Sequence, residues 1–341
     1  MFADLGEKPF RARQMMQWIY GRSVLDLDAM TDLSLVLRRQ LADRVAMDVP
    51  GVLARQESVD GVVKWRLDAG GGQAIETVYI PEEGRSTLCV SSQVGCAIDC
   101  PFCATGRQGF NRNLTTAEII GQVQLARSEG IDLSNVVFMG MGEPLANLNA
   151  VARAADILLD DLGFGLSRRR VTVSTSGLVP QIRRLAELST VALAVSLHSP
   201  DDELRNKLVP INRRHPIAEL LEACWEYARV ARLRDVTFEY VMLAGVNDSQ
   251  AYAKQLARLL VNRPAKVNLI PFNDFPGSGF ERSAPEIVDR FREVLLDAGV
   301  FAMTRKTRGD DINAACGQLA GSVNNRVRSP LGAKMIQRAL Q

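Results

Sequence analysis

The hydrophobic pattern changes twice along the chain. Residues 11–20 (RARQMMQWIY) and 33–45 (LSLVLRRQLADRV) repeat apolar side chains at spacings of three and four, which predicts helices. Residues 51–80 alternate apolar and polar side chains, are rich in β-branched residues and carry Asp60-Gly61 at a predicted hairpin turn. The sequence therefore predicts a small helical unit and a small β unit ahead of the main body.

From about residue 85, short apolar runs alternate with helical patterns. The predicted strands are STLCVSSQ, NVVFMGMG, VTVSTSG, VALAVSLHS, VTFEYVML, KVNLIPFN and FAMTRKT. Stretches such as TTAEIIGQVQLARS and IAELLEACWEYARV lie between them and predict helices. This alternation predicts an α/β fold with a parallel sheet of βαβ units. Six or seven units are compatible with a partial barrel and with a doubly wound open sheet.

The position of the polar residues favours the barrel, because they follow the ends of several predicted strands. In barrels of this type the active site is built from the carboxyl ends of the strands. The cysteine-rich stretch follows the first strand, and the others are followed or ended by Gly140–Glu143, Ser174, Ser176, Ser196, His198 and Asn273.

Composition indicates an ordinary globular enzyme. The chain has 341 residues, of which 47% are hydrophobic and 23% charged. No run of about 18 apolar residues predicts a membrane span, and the charged start MFADLGEKPFRARQ has no signal-peptide core. We therefore expect a cytosolic protein. The net charge of +2 does not by itself indicate a nucleic-acid binder.

Four of the six cysteines fall within residues 89–103, and Cys96, Cys100 and Cys103 follow the spacing C-x-x-x-C-x-x-C. In a reducing cytosol, clustered cysteines indicate metal ligands or catalytic groups. A structural zinc site needs four ligands, usually in two pairs, and the only two histidines lie far away in sequence. Three cysteines on a four-iron cluster leave one iron without a protein ligand, which suits catalysis on a small molecule.

These motifs resemble the RlmN/Cfr family of radical S-adenosylmethionine (SAM) RNA methyltransferases. The resemblance covers almost the whole chain, and GEKPFRARQMMQWIY is similar to the family's N-terminal accessory domain. The other matching stretches are TLCVSSQVGCAIDCPFCATGRQGFNRNLTTAEIIGQV, GMGEPLANLNAV, VTVSTSGLVP, SLHSPDDELRNKLVPIN, NLIPFN and RKTRGDDINAACGQLAG.

The resemblance implies a partial (β/α)6 TIM-like barrel with flanking segments. We expect a helical accessory domain at 1–45, a β-hairpin extension or linker at 46–84, the barrel at 85–307 and a C-terminal tail at 308–341.

The resemblance also implies the reaction and its partners. It is methylation of adenine carbon 2 in the peptidyl transferase region of 23S rRNA and in tRNA beside the anticodon. Carbon 2 is electron-poor and not nucleophilic, so a radical route is needed. The cofactors are a 4Fe-4S cluster on Cys96, Cys100 and Cys103, and two SAM molecules per turnover. The partners are the RNA substrates and a flavodoxin-like electron donor, with no membrane and a monomeric enzyme.

Two alternatives stay open at this point. One is the related adenine carbon-8 rRNA methyltransferase of the same family, which shares the cluster and the cysteine pair. The other, from a different class, is a zinc-stabilised RNA-binding protein.

Three catalytic roles follow from the resemblance. Cys316 is methylated and forms the covalent link to RNA, although the residue alone would be taken for a small buried apolar group. Cys89 resolves that link through a transient disulfide, and strand alternation already turns it toward the predicted site. Glu76 accepts the carbon-2 proton, and it shares a strand face with apolar neighbours in AIETVYI.

The resemblance places the SAM site at the strand ends. Its predicted residues are Gly142, Glu143, Ser174, Ser196, His198 and Asn273. Cys224, in LLEACWEYA, lies on an apolar helix face and is predicted to be a core residue.

Overall fold

The computed structural model describes residues 1–325. Twelve strands lie within this range, ten of them in one sheet and two, β5 and β6, in a separate pair. In chain order they are β1 (Val52–Glu57), β2 (Val63–Asp68), β3 (Ala74–Glu82), β4 (Arg85–Cys89), β5 (Gln93–Gly95), β6 (Phe110–Asn113), β7 (Asn135–Phe138), β8 (Val171–Thr175), β9 (Ala192–Ser196), β10 (Val236–Met242), β11 (Ala265–Pro271) and β12 (Phe301–Thr304).

Helices fill the connections between the strands. Within the described residues they are α1 (Pro9–Met16), α2 (Leu35–Ala42), α3 (Ala104–Gln108), α4 (Thr116–Ser128), α5 (Leu148–Leu159), α6 (Val179–Leu188), α7 (Asp202–Leu208), α8 (Ile217–Val230), α9 (Gln250–Leu260) and α10 (Pro285–Asp297). No helix in this part of the chain has the length and apolar character needed to cross a membrane.

The order of the strands decides between barrel and open sheet. The large sheet runs β1-β2-β3-β4-β7-β8-β9-β10-β11-β12, and β4 with β7–β12 are parallel. A doubly wound sheet reverses its order at a switch point, and this one does not. Right-handed crossovers between sequential neighbours place the helices on one face and curl the sheet. The α/β partial barrel is confirmed.

The predicted β unit is confirmed and continues the barrel sheet. β1 and β2 form an antiparallel hairpin around Asp60-Gly61. β3 pairs antiparallel with both β2 and β4. This β extension, residues 52–82, is therefore joined by hydrogen bonds to the first barrel strand.

The N-terminal helices form their own small core. It consists of five buried side chains, Met15, Met30, Leu33, Leu37 and Leu41. α1 continues directly into a π-helical turn at Gln17–Gly21. The unit contacts the main body through Gln124 Nε2, which donates to Ile19 O at 2.9 Å. The predicted helices are confirmed, since their apolar spacing reflects this separate core.

After β12 the chain returns across the carboxyl ends of the strands. We call residues 305–325 the tail. Arg308 forms an ion pair with Asp60 at 3.7 Å, and Ala74 and Ser322 exchange two backbone hydrogen bonds of 2.9 and 3.1 Å. Thr105 Oγ1, in the helix after the cysteines, donates to Leu319 O at 2.7 Å. The β extension and the first barrel connection thus hold the tail over the site.

Candidate active site

A cavity of about 170 Å³ opens at the carboxyl ends of the parallel strands. Its wall combines apolar side chains with a few converging polar groups, as is typical of small-molecule sites. Most of the predicted site residues lie on its wall: Cys96, Cys100, Cys103, Gly142, Glu143, Ser174, Ser196, His198 and Cys316. The barrel therefore gathers residues that lie up to 220 positions apart, from Cys96 to Cys316, around one space.

The cysteine loop, residues 96–103, lies between two short paired strands. β5 and β6 pair antiparallel around it, and Cys96 N donates to Gly109 O at 2.7 Å. Gly95 has φ +79°, and a Cβ there would lie 2.0 Å from Gly109 O. Only glycine permits this approach. This pairing brings the ends of the loop together and places its cysteines at the cavity.

The three cysteines of the loop are half-buried. Burial raises the pKa of Cys96, Cys100 and Cys103. Hydrogen bonds from the amides of Thr105 and Gly106, at the start of α3, act in the opposite direction on Cys103. A thiol with a raised pKa stays protonated at neutral pH, whereas metal ligation requires the thiolate. Iron cations would supply the charge that removes these protons.

This donor set fits an iron–sulfur cluster. Within residues 1–325, no three His, Cys, Asp or Glu side chains come together closely enough to hold one metal ion. A four-iron cluster takes a different iron for each cysteine, so its ligands do not converge on one point. Three cysteines on one wall suit such a cluster better than a single zinc ion, which needs a tetrahedral set.

Glu143 is a fixed carboxylate on the cavity wall, with 3% of its surface exposed. Its Oε2 accepts hydrogen bonds from Ser176 N at 2.7 Å and Ser176 Oγ at 2.6 Å, and its Oε1 accepts one from Leu145 N at 3.0 Å. Burial raises its pKa, and the hydrogen bonds from Ser176 oppose that rise. A carboxylate held in this way suits a ligand ammonium group, as the predicted SAM role requires.

Gly142 lets the Glu143 loop lie directly on the segment that precedes the cysteines. Its φ is +103°, and a Cβ there would lie 2.5 Å from Gln93 Cβ. Glu143 N donates to Gln93 Oε1 at 2.8 Å across the same contact. The position of the carboxylate therefore depends on a residue without a side chain at 142.

His198 is a neutral histidine whose tautomer is fixed by the fold. Burial and the nearby Arg205 charge lower its pKa to about 3. Its Nδ1 accepts a hydrogen bond from Val241 N at 3.0 Å, so the ring proton is on Nε2. The ring packs edge-on against Phe102 in the cysteine loop, with centroids 4.7 Å apart. His198 thus links the fourth barrel strand to the cysteine loop and offers one N–H donor.

Arg205 connects the ends of β8 and β9, and it was not predicted from the sequence. Its side chain is fully buried and donates to the backbone oxygens of Ser176, Ser196 and Leu197 at 2.7, 2.9 and 3.0 Å. Its Nη1 also donates to Asn212 Oδ1 at 2.6 Å. Burial lowers its pKa to about 10, so it stays charged at neutral pH. The sequence signal that could have identified Arg205 is its place within SLHSPDDELRNKLVPIN, a stretch that resembles the family.

Glu239 and Arg305 form a second charged group on the wall that was not predicted. Glu239 Oε1 accepts from Asn268 Nδ2 at 2.9 Å, and Arg305 Nη1 lies 4.0 Å from Glu239 Oε2. That Oε2 is buried and has no hydrogen-bond donor within residues 1–325. It is therefore available to accept a hydrogen bond from a ligand. Arg305 directly follows β12, and only that place could have suggested it, whereas Glu239 lies in the middle of β10.

Cys316 reaches the cavity from the tail. Its backbone oxygen accepts from Asn273 Nδ2 at 3.1 Å, and the next carbonyl, of Gly317, accepts from Ala104 N at 2.8 Å. Asn273 lies off the cavity wall, where it supports the Cys316 turn. Its predicted contact with SAM stays a prediction.

Cys89 lies at the end of β4, off the cavity wall and buried. Burial raises its pKa to about 12; the Cys316 thiol adds to the rise and the Arg305 charge opposes it. The two cysteines are therefore electrostatic neighbours, and both are free thiols. Cys224 is fully buried in α8, as predicted for a core residue.

Glu76 is also off the cavity wall, on β3 beneath the tail, and it is 6% exposed. Its Oε2 accepts from Ala320 N at 2.9 Å, and its Oε1 lies 3.6 Å from Lys64 Nζ. The predicted general base is thus buried and bound to the tail that carries Cys316. Its role in proton transfer stays a prediction.

Two family models match the chain. The Radical SAM superfamily matches residues 90–256, and the Ribosomal RNA large subunit methyltransferase N-terminal domain matches residues 1–47. The crystal structure of a radical SAM methyltransferase from Sphaerobacter thermophilus is 48% identical. The match covers 93% of this chain and 95% of that chain, with a TM-score of 0.88.

Two more distant structures also match. A domain of pyruvate-formate lyase-activating enzyme from Bacteroides vulgatus is 21% identical, with 51% of this chain and 99% of that chain covered and a TM-score of 0.40. SuiB from Streptococcus suis is 13% identical, with 64% and 49% covered and a TM-score of 0.49. Both TM-scores are below 0.5, so the assignment rests on the Sphaerobacter enzyme and the family models.

The fold and the cysteine loop define a radical SAM enzyme. More particularly, the chain belongs to the RlmN/Cfr family of radical SAM methyltransferases. This membership implies an iron–sulfur cluster and SAM, and it excludes the zinc-stabilised RNA-binding protein considered above.

Replacing any one of Cys96, Cys100 or Cys103 with Ala is expected to abolish cluster binding and SAM cleavage, because each thiolate is predicted to be the protein ligand of one iron. Iron and sulfide analysis of the anaerobically reconstituted protein, with its visible absorption, measures this directly. Cys224→Ala is the matched control and should keep full iron content. Normal iron content in a loop variant would show that the ligand assignment is wrong.

Gly142→Ala is expected to weaken SAM binding by about tenfold or more, because a Cβ would push the Glu143 loop off Gln93 in a strained backbone region. Equilibrium titration of the reconstituted protein with SAM gives the dissociation constant. Gly130→Ala shares the positive φ, +81°, but has no atom within 4 Å of the added Cβ. Equal loss of affinity in both variants would contradict the crowding argument.

Proposed function

We propose that this protein methylates carbon 2 of adenine in 23S rRNA, in the peptidyl transferase region, and in tRNA beside the anticodon. The observation that carries the proposal is the position of Cys316. A tail cysteine shares one cavity with the three loop cysteines and Glu143. A radical SAM enzyme that only cleaved SAM would not need a fourth cysteine there.

The chemistry of the target explains why this cysteine is needed. Carbon 2 of adenine is electron-poor, so it does not attack a methyl group as a nucleophile. When bound, the cluster and SAM supply a methyl group and an organic radical. Cys316 carries the one-carbon unit on its sulfur and joins it to carbon 2, which links the protein covalently to RNA.

Two further residues complete the turnover in this proposal. Glu76 takes the proton from carbon 2, and the bonding electron pair stays in the ring, while the one unpaired electron left by the radical addition would return to the iron–sulfur cluster. Cys89 then gives up its proton, and its sulfur attacks the sulfur of Cys316 and forms a disulfide. The carbon–sulfur bond breaks, its electron pair stays on the one-carbon unit, and that unit takes up a proton to become the methyl group. The electrostatic interaction between the Cys89 and Cys316 thiols supports this step.

The cofactor assignments in the proposal are a 4Fe-4S cluster on Cys96, Cys100 and Cys103, and two SAM molecules per turnover. Cys316 would receive its methyl group from one SAM, and the other would supply the radical. Gly142, Glu143, Ser174, Ser196, His198 and Asn273 bind SAM. The proposed enzyme is a cytosolic monomer that receives electrons from a flavodoxin-like donor.

Mass spectrometry of adenosine in rRNA and tRNA tests the position of the methyl group. Cells with this protein should contain 2-methyladenosine at the two proposed sites, and cells without it should lack it. Because the carbon-8 isomer has the same mass, chromatographic standards of both isomers must separate them. A gain of 8-methyladenosine instead would identify the related carbon-8 activity.

The roles of the two catalytic cysteines predict opposite behaviour of their variants. Cys89→Ala should bind the cluster and cleave SAM but accumulate protein cross-linked to RNA, because nothing resolves the adduct. Cys316→Ala should form no cross-link, because it cannot carry the one-carbon unit. A denaturing gel with and without ribonuclease shows the difference. An unshifted Cys89→Ala band after expression with substrate RNA would rule out the resolving role.

A further inference from the structure

Lys64 is a buried cation that lies off the cavity wall. It lies on β2, and 7% of its surface is exposed. Its Nζ lies 3.6 Å from Glu76 Oε1 and donates to Asn313 O at 3.2 Å. Lysine is almost never this buried unless it is paired. A buried lysine at this position therefore calls for a structural or functional explanation.

The ion pair holds the tail on both sides of Cys316. Lys64 binds Asn313, which precedes Cys316 in the tail, and Glu76 binds the amide of Ala320, which follows it. Asn313 has φ +50°, a left-handed conformation that is uncommon outside glycine. The chain therefore turns sharply at the residue that Lys64 contacts.

A second cation near Glu76, Arg66, binds the tail instead of Glu76. Arg66 is opposite Glu76 in the β2–β3 register, but its guanidinium donates to Ser322 Oγ in the tail. Within residues 1–325, the ion pair of Glu76 is with Lys64. The charge on Glu76 is therefore balanced by a group that also binds the Cys316 turn.

We propose that Lys64 is a positioning residue that couples the protonation of Glu76 to the position of the tail. This rests on the proposed function, in which Glu76 accepts the carbon-2 proton. While Glu76 is ionised, the pair aims its carboxylate and fixes Cys316 at the cavity. When the proton arrives, the carboxylate loses its charge and the attraction to Lys64 disappears. The tail is then released, and Cys316 can meet Cys89.

The principal variant is Lys64→Met, which keeps the length of the side chain and removes its charge. In the reconstituted protein without RNA, hydrogen exchange at tail amides 313–322 should rise about tenfold or more. In single-turnover assays, release of the RNA adduct should slow by about 100-fold, the lower end of general-base effects. Lys64→Arg should restore both to within about threefold.

A double variant tests whether Lys64 acts through Glu76. Glu76→Gln and Lys64→Met/Glu76→Gln should release the adduct equally slowly, because the coupling is already lost in the single variant. The double variant also removes the unpaired buried carboxylate, so it stays usable if Lys64→Met alone does not fold. Arg55→Met is the matched control, since Arg55 lies in the same β extension but pairs on the surface with Glu57 and Glu129.

The outcomes separate this inference from the proposed function. Unchanged tail exchange, or unchanged adduct release, in Lys64→Met would overturn the coupling. A further large loss in the double variant beyond Glu76→Gln would also overturn it. If even Cys89→Ala yields no RNA adduct, the proposed function fails instead. Hydrogen exchange still decides in that case whether Lys64 fixes the tail.

Discussion

The return of the tail across the barrel is the constraint on which the active site depends. A barrel alone brings together the ends of its strands, and here that includes the cysteine loop and the Glu143 loop. Cys316 lies beyond the last strand and reaches the cavity because the β extension holds the tail. The ion pair of Arg308 with Asp60 and the backbone bonds of Ala74 with Ser322 make that link. The extension therefore determines where the tail lies on the cavity.

Much of the fold could be predicted because its signals are local. Seven short apolar runs alternate with amphipathic helices, and each side-chain pattern follows directly from a strand buried on both faces or a helix buried on one. The choice of a barrel required the order of the strands, which depends on long-range pairing. The polar residues at strand ends gave the correct hint, since Ser174, Ser196 and His198 share one cavity wall.

The supporting residues could not be predicted in the same way. Arg205 and Lys64 are charged residues that fold into the interior, where composition predicts exposure. Their burial is possible because carbonyl oxygens and carboxylates from distant segments meet them, and no spacing within one segment reveals such partners. Asn273 was likewise predicted to lie in the site, but its hydrogen bond to the backbone of Cys316 could not be predicted.

Cys89 and Cys316, the two cysteines with proposed roles in turnover, differ in depth, and this difference fits an order of events in the proposed reaction. Cys316 is exposed, so it can meet SAM and a nucleobase. Cys89 is buried with a pKa raised to about 12, so at neutral pH its thiol is protonated and a poor nucleophile. If both thiols were exposed, an oxidant such as a small-molecule disulfide could take up two electrons and join them in a disulfide before any RNA was bound. Under the proposed function, the burial of Cys89 keeps it from reacting with Cys316 too early, and the approach of the tail that carries Cys316 would bring Cys89 into the reaction.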